Sequence, residues 1–337
     1  MKRWEIRGSG IETLELVDAP EPLPGSKQVL VRVRATSLNY RDLLTVEGRY
    51  RGGPGRAGLV PLSDGAGEVV AAGAEVKTLR AGDRVAGNFF QAWHGGGWRG
   101  DYTGSAMGGG IDGMLSELVV LEEAGAVKLP AGYSFAEGAA LPCAAVTAWN
   151  SVVTHGALAP GETLLIQGTG GVSIFALQIA RALGAQVIAT SSSAAKIERL
   201  AGLGVRASVN YKENPDWEKA VLALTDKRGV DLVVEVGGAG TLDKSIRALA
   251  HNGRVMLVGV LAGGAQAANP FGLAMKNATM RGIYVGSSAE FTAMNRFFEQ
   301  HAIKPMIDRI FPFADAKAAY AHLKSGAHFG KVVVSVA

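Results

Sequence analysis

One stretch constrains this chain more than any other. Thr163-Leu164-Leu165-Ile166-Gln167 reads as a buried strand, Gly168-Thr169-Gly170-Gly171-Val172-Ser173 as a glycine turn, and residues 172–183 as a helix stopped by Gly184. Gly168 permits a tight turn. Gly170 lets the backbone approach a pyrophosphate, which then sits at the positive end of the helix opened by Gly171 and Val172. Ser173 stands where the usual pattern has a third glycine, and it is small enough for close helix–strand packing. A glycine hexapeptide alone is weak, because an ordinary turn looks the same; its place between strand and helix is what the motif requires.

The following pattern repeats strand and helix. Residues 186–190, 207–211, 231–236, 254–258 and 279–285 read as strands rich in Val, Ile and Leu, and 194–203 as a helix. Such alternation predicts a parallel sheet covered on both faces, and six strands match the doubly wound dinucleotide fold.

The end of the second strand bears on which dinucleotide. An NAD site typically has an acid there to hold the ribose 2′-hydroxyl. This chain has Thr190-Ser191-Ser192-Ser193-Ala194-Ala195-Lys196 instead. The Ser192 hydroxyl and the Lys196 ammonium suit a 2′-phosphate, so NADP(H) is expected ahead of NAD(H). The serines also suit a helix cap.

The first third reads differently. Residues 29–35 alternate apolar and charged, as a half-exposed strand does; 68–73, 84–87 and 118–121 are further strands. A Gly-rich stretch over 87–113 carries Trp93, His94, Trp98 and Tyr102, and unstructured loops of that length tend to be functional or mobile. After about Ser287 the chain reads as helix (291–301), helix (314–325) and a strand (331–336) that returns to the first part.

Composition excludes several classes. Hydrophobic residues make up 48% and charged residues 19% of 337, a balance for a compact protein. The net charge is +4, with no basic run, so no nucleic-acid partner is expected. No stretch approaches the length of a membrane span, and the first residues lack the apolar core of a signal peptide; a cytoplasmic protein is the expectation. The single cysteine, Cys143, excludes an intrachain disulfide and a Cys-based zinc lobe. The six histidines show no ligand spacing, and no Gly-x-Ser-x-Gly elbow is present.

Several further segments carry a resemblance. They are Ser37-Leu38-Asn39-Tyr40-Arg41-Asp42, Pro61-Leu62-Ser63-Asp64-Gly65-Ala66-Gly67-Glu68-Val69, Gly82-Asp83-Arg84-Val85, Leu141-Pro142-Cys143-Ala144-Ala145-Val146-Thr147-Ala148-Trp149 and Phe329-Gly330-Lys331-Val332-Val333. With the glycine loop, they make the chain resemble the medium-chain dehydrogenase/reductase superfamily over essentially its whole length. It is most similar to the zinc-independent branch of quinone oxidoreductase-like and alcohol dehydrogenase-like proteins. The resemblance implies an α/β protein: a GroES-like barrel (1–124 and 288–337) for substrate, a Rossmann domain (125–287) for NAD(P), a cleft between them and a homodimer.

It also implies site residues. Asn39 stands at the family's first zinc-ligand position, Ser63-Asp64 at its His-Glu pair, and Cys143 near its last ligand. One thiol without partners does not make a catalytic zinc site, so no metal is expected. The family's Asn and Tyr beside the nicotinamide match Asn39 and Tyr50, eleven residues apart, as the catalytic pair. The 2′-phosphate contacts match Ser192, Lys196 and Tyr211. Thr147, Val172, Val260, Val285 and Lys331 match positions around the pyrophosphate and nicotinamide. The expected activity is hydride transfer between NADP(H) and a small quinone, enone or carbonyl compound. Alcohol–aldehyde interconversion and a non-catalytic nucleotide-binding role are the alternatives.

Overall fold

The computed structural model describes residues 1–50, 56–259 and 269–336. The chain divides into two compact units, residues 1–146 with 285–337 and residues 147–284.

The first unit begins with an antiparallel pair, β1 (Lys2–Ile6) and β2 (Leu14–Asp18). Then come β3 (Gln28–Leu38), β4 (Asp64–Ala72), β5 (Arg84–Gly87), β6 (Leu118–Glu122) and β7 (Ala126–Lys128). Strand β3 organises them: β4 lies along one side, and β6 pairs with its first half on the other. The predicted alternation is visible there. Val29, Val31 and Val33 are buried in one cluster with Val69, Val85 and Leu121, whereas Arg32 points out. Each such side chain fully buried stabilises the fold by roughly 1.5–3 kcal/mol.

Among the described residues the second unit carries six parallel strands: β8 (Thr163–Gln167), β9 (Gln186–Ser191), β10 (Ala207–Asn210), β11 (Val230–Glu235), β12 (Leu249–Leu257) and β13 (Thr279–Gly282). Their spatial order is β10-β9-β8-β11-β12-β13, the doubly wound order predicted from the alternation. Leu165, Ile188, Val233 and Val255 from four strands meet Trp217, Val221 and Ile246 in one core.

The tail re-enters the first unit. Helix Ser288–Gln300 starts on a capping box, Ser287 with Glu290, and β14 (Ile307–Pro312) and β15 (Lys331–Ser335) follow. Strand β15 pairs antiparallel with the second half of β3, so Val333 lies opposite Ser37. The fold is GroES-like in this unit and Rossmann-type in the other.

Three details differ from the sequence reading. Residues 125–146 group with the first unit, where the Ser37 hydroxyl donates to Ala139 O at 2.8 Å. Strand β13 stops at Gly282 rather than 285, and Val285 turns into the left-handed region at φ 57°. The stretch 87–113 is firmly anchored. Asn88 Nδ2 donates to Gly286 O at 3.4 Å, Gln91 Nε2 to Gly125 O at 3.2 Å, and Ser288 N to Trp93 O at 3.0 Å. Trp93 and Trp98 meet edge-on at 5.1 Å, and Tyr102 stacks beside Trp93 at 6.1 Å.

Candidate active site

In the Rossmann unit, the glycine turn sits at the carboxyl end of β8. Gly168 has φ 68°, and its N–H donates to Thr190 O at the end of β9 at 2.7 Å. A β-carbon on Gly168 or Gly170 would meet nothing within 4 Å, so the turn is an open cradle. Gly170 is the N-cap of helix Gly171–Ala182 and, having no side chain, makes no side-chain cap bond to its first N–H groups. An uncapped N-terminus of this kind fits a pyrophosphate. Ser173 is buried, and its hydroxyl donates to Gln167 O at 2.7 Å, drawing helix and strand together as the third glycine would allow.

The register brings the other predicted phosphate contacts to the same sheet end. Asn210 pairs with Ser191, and Tyr211 N donates to Ser191 O at 3.0 Å. Ser192 follows directly after β9. Ser193 caps helix Ala194–Gly202 by accepting from Lys196 N at 3.4 Å, so one serine does serve as a cap. Residues 190–193 include no acid, and Tyr211 is exposed. Val172 opens the helix. Thr147 is buried at the start of the unit, its carbonyl accepting from Ser151 Oγ at 2.7 Å. Val260 lies outside the described residues.

Sequence reasoning missed one support of this end. Glu235, the last residue of β11, is fully buried and accepts from Gly237 N (2.7 Å), Gly238 N (2.9 Å), Thr241 Oγ1 (2.6 Å) and Gln167 Nε2 (2.8 Å). It pins the turn after β11 to the strand that feeds the glycine loop. An acid inside an apolar strand was the available signal.

In the GroES-like unit a polar cluster gathers where β3, β4 and β15 meet. Asn39 precedes helix Tyr40–Val46, and its N–H donates to Asp42 Oδ2 at 2.8 Å. Lys331, only 3% exposed, donates to Asn39 Oδ1 at 2.6 Å and Leu38 O at 2.9 Å, and lies 3.6 Å from Asp64 Oδ2. Asp64 is fully buried; it also accepts from Ser63 Oγ at 2.7 Å and Cys143 N at 3.1 Å. Asn39 Nδ2 is buried with no partner among the described residues. An ammonium has no acceptor, so Oδ1 must face Lys331 and the amide N–H must face away.

Arg41 extends the cluster. Its Nη1 donates to Asp42 Oδ1 (2.9 Å), Met107 O (3.0 Å) and Gly108 O (3.0 Å). The guanidinium lies 4.9 Å from the Tyr50 ring centre and 5.1 Å from that of Phe89. Burial pushes the Asp42 carboxyl above its usual range, against the pull of Arg41. Burial, with Asp64 second, pushes the Cys143 thiol far above the thiol range, so it stays neutral. Among the described residues no three His, Cys, Asp or Glu side chains gather to hold a metal. Val285 is buried in its left-handed conformation; for a β-branched residue that is strained by about 1–3 kcal/mol, a feature that clusters at functional sites.

Comparison with known proteins agrees with both halves. Residues 25–131 match the family profile of the alcohol dehydrogenase GroES-like domain, and residues 171–300 that of zinc-binding dehydrogenase. A zinc-type alcohol dehydrogenase-like protein of Schizosaccharomyces pombe is 41% identical over 97% of this chain and 96% of its own length. A 2-methylene-furan-3-one reductase of Solanum lycopersicum is 30% identical over 99% of this chain and 79% of its own. A solved NAD-dependent alcohol dehydrogenase superposes with a TM-score of 0.90 at 32% identity, covering 100% of both chains.

Proposed function

The chain belongs to the medium-chain dehydrogenase/reductase superfamily and is an NAD(P)H-dependent oxidoreductase, and from that premise we propose that it moves hydride between NADP(H) and a small quinone, enone or other carbonyl compound without zinc. The observation that carries this reading is the buried Asn39–Lys331–Asp64 cluster. At the positions that resemble the family's zinc ligands it holds an amide, a hydroxyl, a carboxylate engaged by an ammonium, and a neutral thiol. That donor set does not suit zinc, which is held by thiolates, imidazoles and free carboxylates. The proposed reaction therefore proceeds without a metal.

When bound, NADPH supplies the hydride. The chain's own residues then have two tasks. Asn39 Nδ2 donates a hydrogen bond to the substrate oxygen as negative charge builds there, in surroundings dry enough to strengthen it. Tyr50, held by its ring face on Arg41, supplies a second donor or the proton that the oxygen takes up. A conjugated carbonyl suits such a site, because its charge spreads and few donors are needed. The name of the tomato relative, an enone reductase, supports this acceptor class. Alcohol–aldehyde interconversion is the second reading, supported by the name of the yeast relative.

NADP(H) over NAD(H) rests on the acid-free end of β9 with Ser192, Lys196 and Tyr211 nearby; the solved relative named as NAD-dependent argues the other way. No helix among the described residues is long and apolar enough to cross a membrane. A cytoplasmic homodimer completes the proposal, the dimer on the family resemblance and the location on the sequence reading above. Oxidation of NADPH and of NADH with a panel of quinones, enones, aldehydes and ketones tests the reading. Turnover of quinones or enones with NADPH is expected; activity only with alcohols and NAD would contradict it.

A further inference from the structure

The resemblance implies that Lys331 touches the cofactor, but the geometry points to a different role: Lys331 is a positioning residue that sets the Asn39 amide and polarises it as a donor. This rests on the reading of Asn39 as the group that faces the substrate oxygen. Three observations carry it. The ammonium is almost completely buried and lies within reach of three oxygens: Leu38 O, Asn39 Oδ1 and Asp64 Oδ2. The Asn39 contact, at 2.6 Å, is the shortest. The other end of the same amide, Nδ2, is buried and without a partner among the described residues.

An amide with a cation on its oxygen shifts electron density toward that oxygen. Its N–H groups become more positive and donate more strongly, as in any polarised hydrogen-bond chain. Lys331 therefore does two things at once. It removes the flipped orientation, in which Oδ1 would meet a developing oxyanion and repel it. It also passes part of its charge, through the amide, to the atom that bonds the substrate. Asp64 holds the ammonium from behind, and Ser63 Oγ and Cys143 N hold Asp64. The cluster thus places a cation behind the polarising group rather than on the substrate itself.

The test is a double-mutant cycle on kcat for NADPH-driven enone reduction, using Lys331→Met and Asn39→Ala singly and together, with NADPH binding measured for each. Asn39→Ala is expected to lower kcat about a hundredfold. Lys331→Met is expected to lower it roughly tenfold, the order found for coupled pairs, with NADPH affinity unchanged. In the Asn39→Ala protein, Lys331→Met should then cost nothing more. Lys331→Met also strands the Asp64 carboxylate, so the cycle is repeated in an Asp64→Asn background, where no lone charge remains. If Lys331→Met lowers kcat by the same factor with and without Asn39, or weakens NADPH while sparing kcat, the positioning role is wrong and the reading of Asn39 stands. If Asn39→Ala leaves kcat intact, the reading of Asn39 fails and this role fails with it.

Discussion

The Arg41 guanidinium lies 4.9 Å from the centre of the Tyr50 ring, so it is the face of the ring that is held. A phenylalanine offers the same face. Tyr50→Phe therefore keeps the packing and removes only the hydroxyl. We expect the turnover number for a responsive enone or quinone to fall roughly a hundredfold, the loss typical of one preorganised donor. NADPH affinity should be nearly unchanged. Steady-state kinetics with a deuterated cofactor, to show that hydride transfer limits the rate, checks this. Unchanged turnover would leave the tyrosine a packing residue.

Lys196 follows the acid-free end of β9, and its N–H joins the cap made by Ser193. That backbone bond survives substitution, so Lys196→Ala removes the side-chain ammonium and leaves the cap in place. Losing a charge-assisted contact to a phosphate costs about 1.5–3 kcal/mol, or roughly ten- to a hundredfold in affinity. The expected result is a weakened Kd for NADPH with little change for NADH. Titration of intrinsic fluorescence with each cofactor measures it; equal losses for both would argue against a 2′-phosphate contact.

Asp231 fixes the start of β8 by accepting from Thr163 N at 2.8 Å, and Arg228 pairs with it at 3.0 Å. Burial works against its charge, but Arg228 and the Thr163 N–H prevail and hold its pKa below the ordinary carboxylate value. A depressed folded-state pKa adds stability that is present above the unfolded value, near 3.9, and is lost as pH falls through the folded value. Asp231→Asn should therefore lower stability at neutral pH by about 1–3 kcal/mol. The gap between the two proteins should narrow below about pH 4. Denaturant melts at several pH values test both; a gap independent of pH would contradict the linkage.

The parts of this protein that were readable in the sequence are those built from neighbours along the chain. The glycine turn, the strand before it and the helix after it are contiguous, and each shows its own period. Ser192 and Tyr211 directly follow β9 and β10, which the doubly wound order puts side by side, and Lys196 lies in the first turn of the helix after β9. The polar cluster was readable only in its residue types. Asn39 and Lys331 are 292 positions apart, and only the pairing of β15 with β3 brings them together. Periodicity places Lys331 at the start of a strand and says nothing about the direction of its ammonium. The stretch 87–113 looked loose because glycine and polar residues carry no period, while its anchors at Gly125 and Ser288 lie elsewhere in the chain. The overlong sixth strand has a local cause: Val285 has strand-forming chemistry but a left-handed backbone.

In the proposed reaction hydride moves without a metal, and an amide donor polarises the substrate. Its most direct test is NADPH oxidation by a responsive enone or quinone before and after exhaustive chelation, with metal content measured on the same samples. Full activity is expected in protein that carries no stoichiometric zinc. A tightly held zinc in every chain, with activity that disappears on its removal and returns on its replacement, would contradict it.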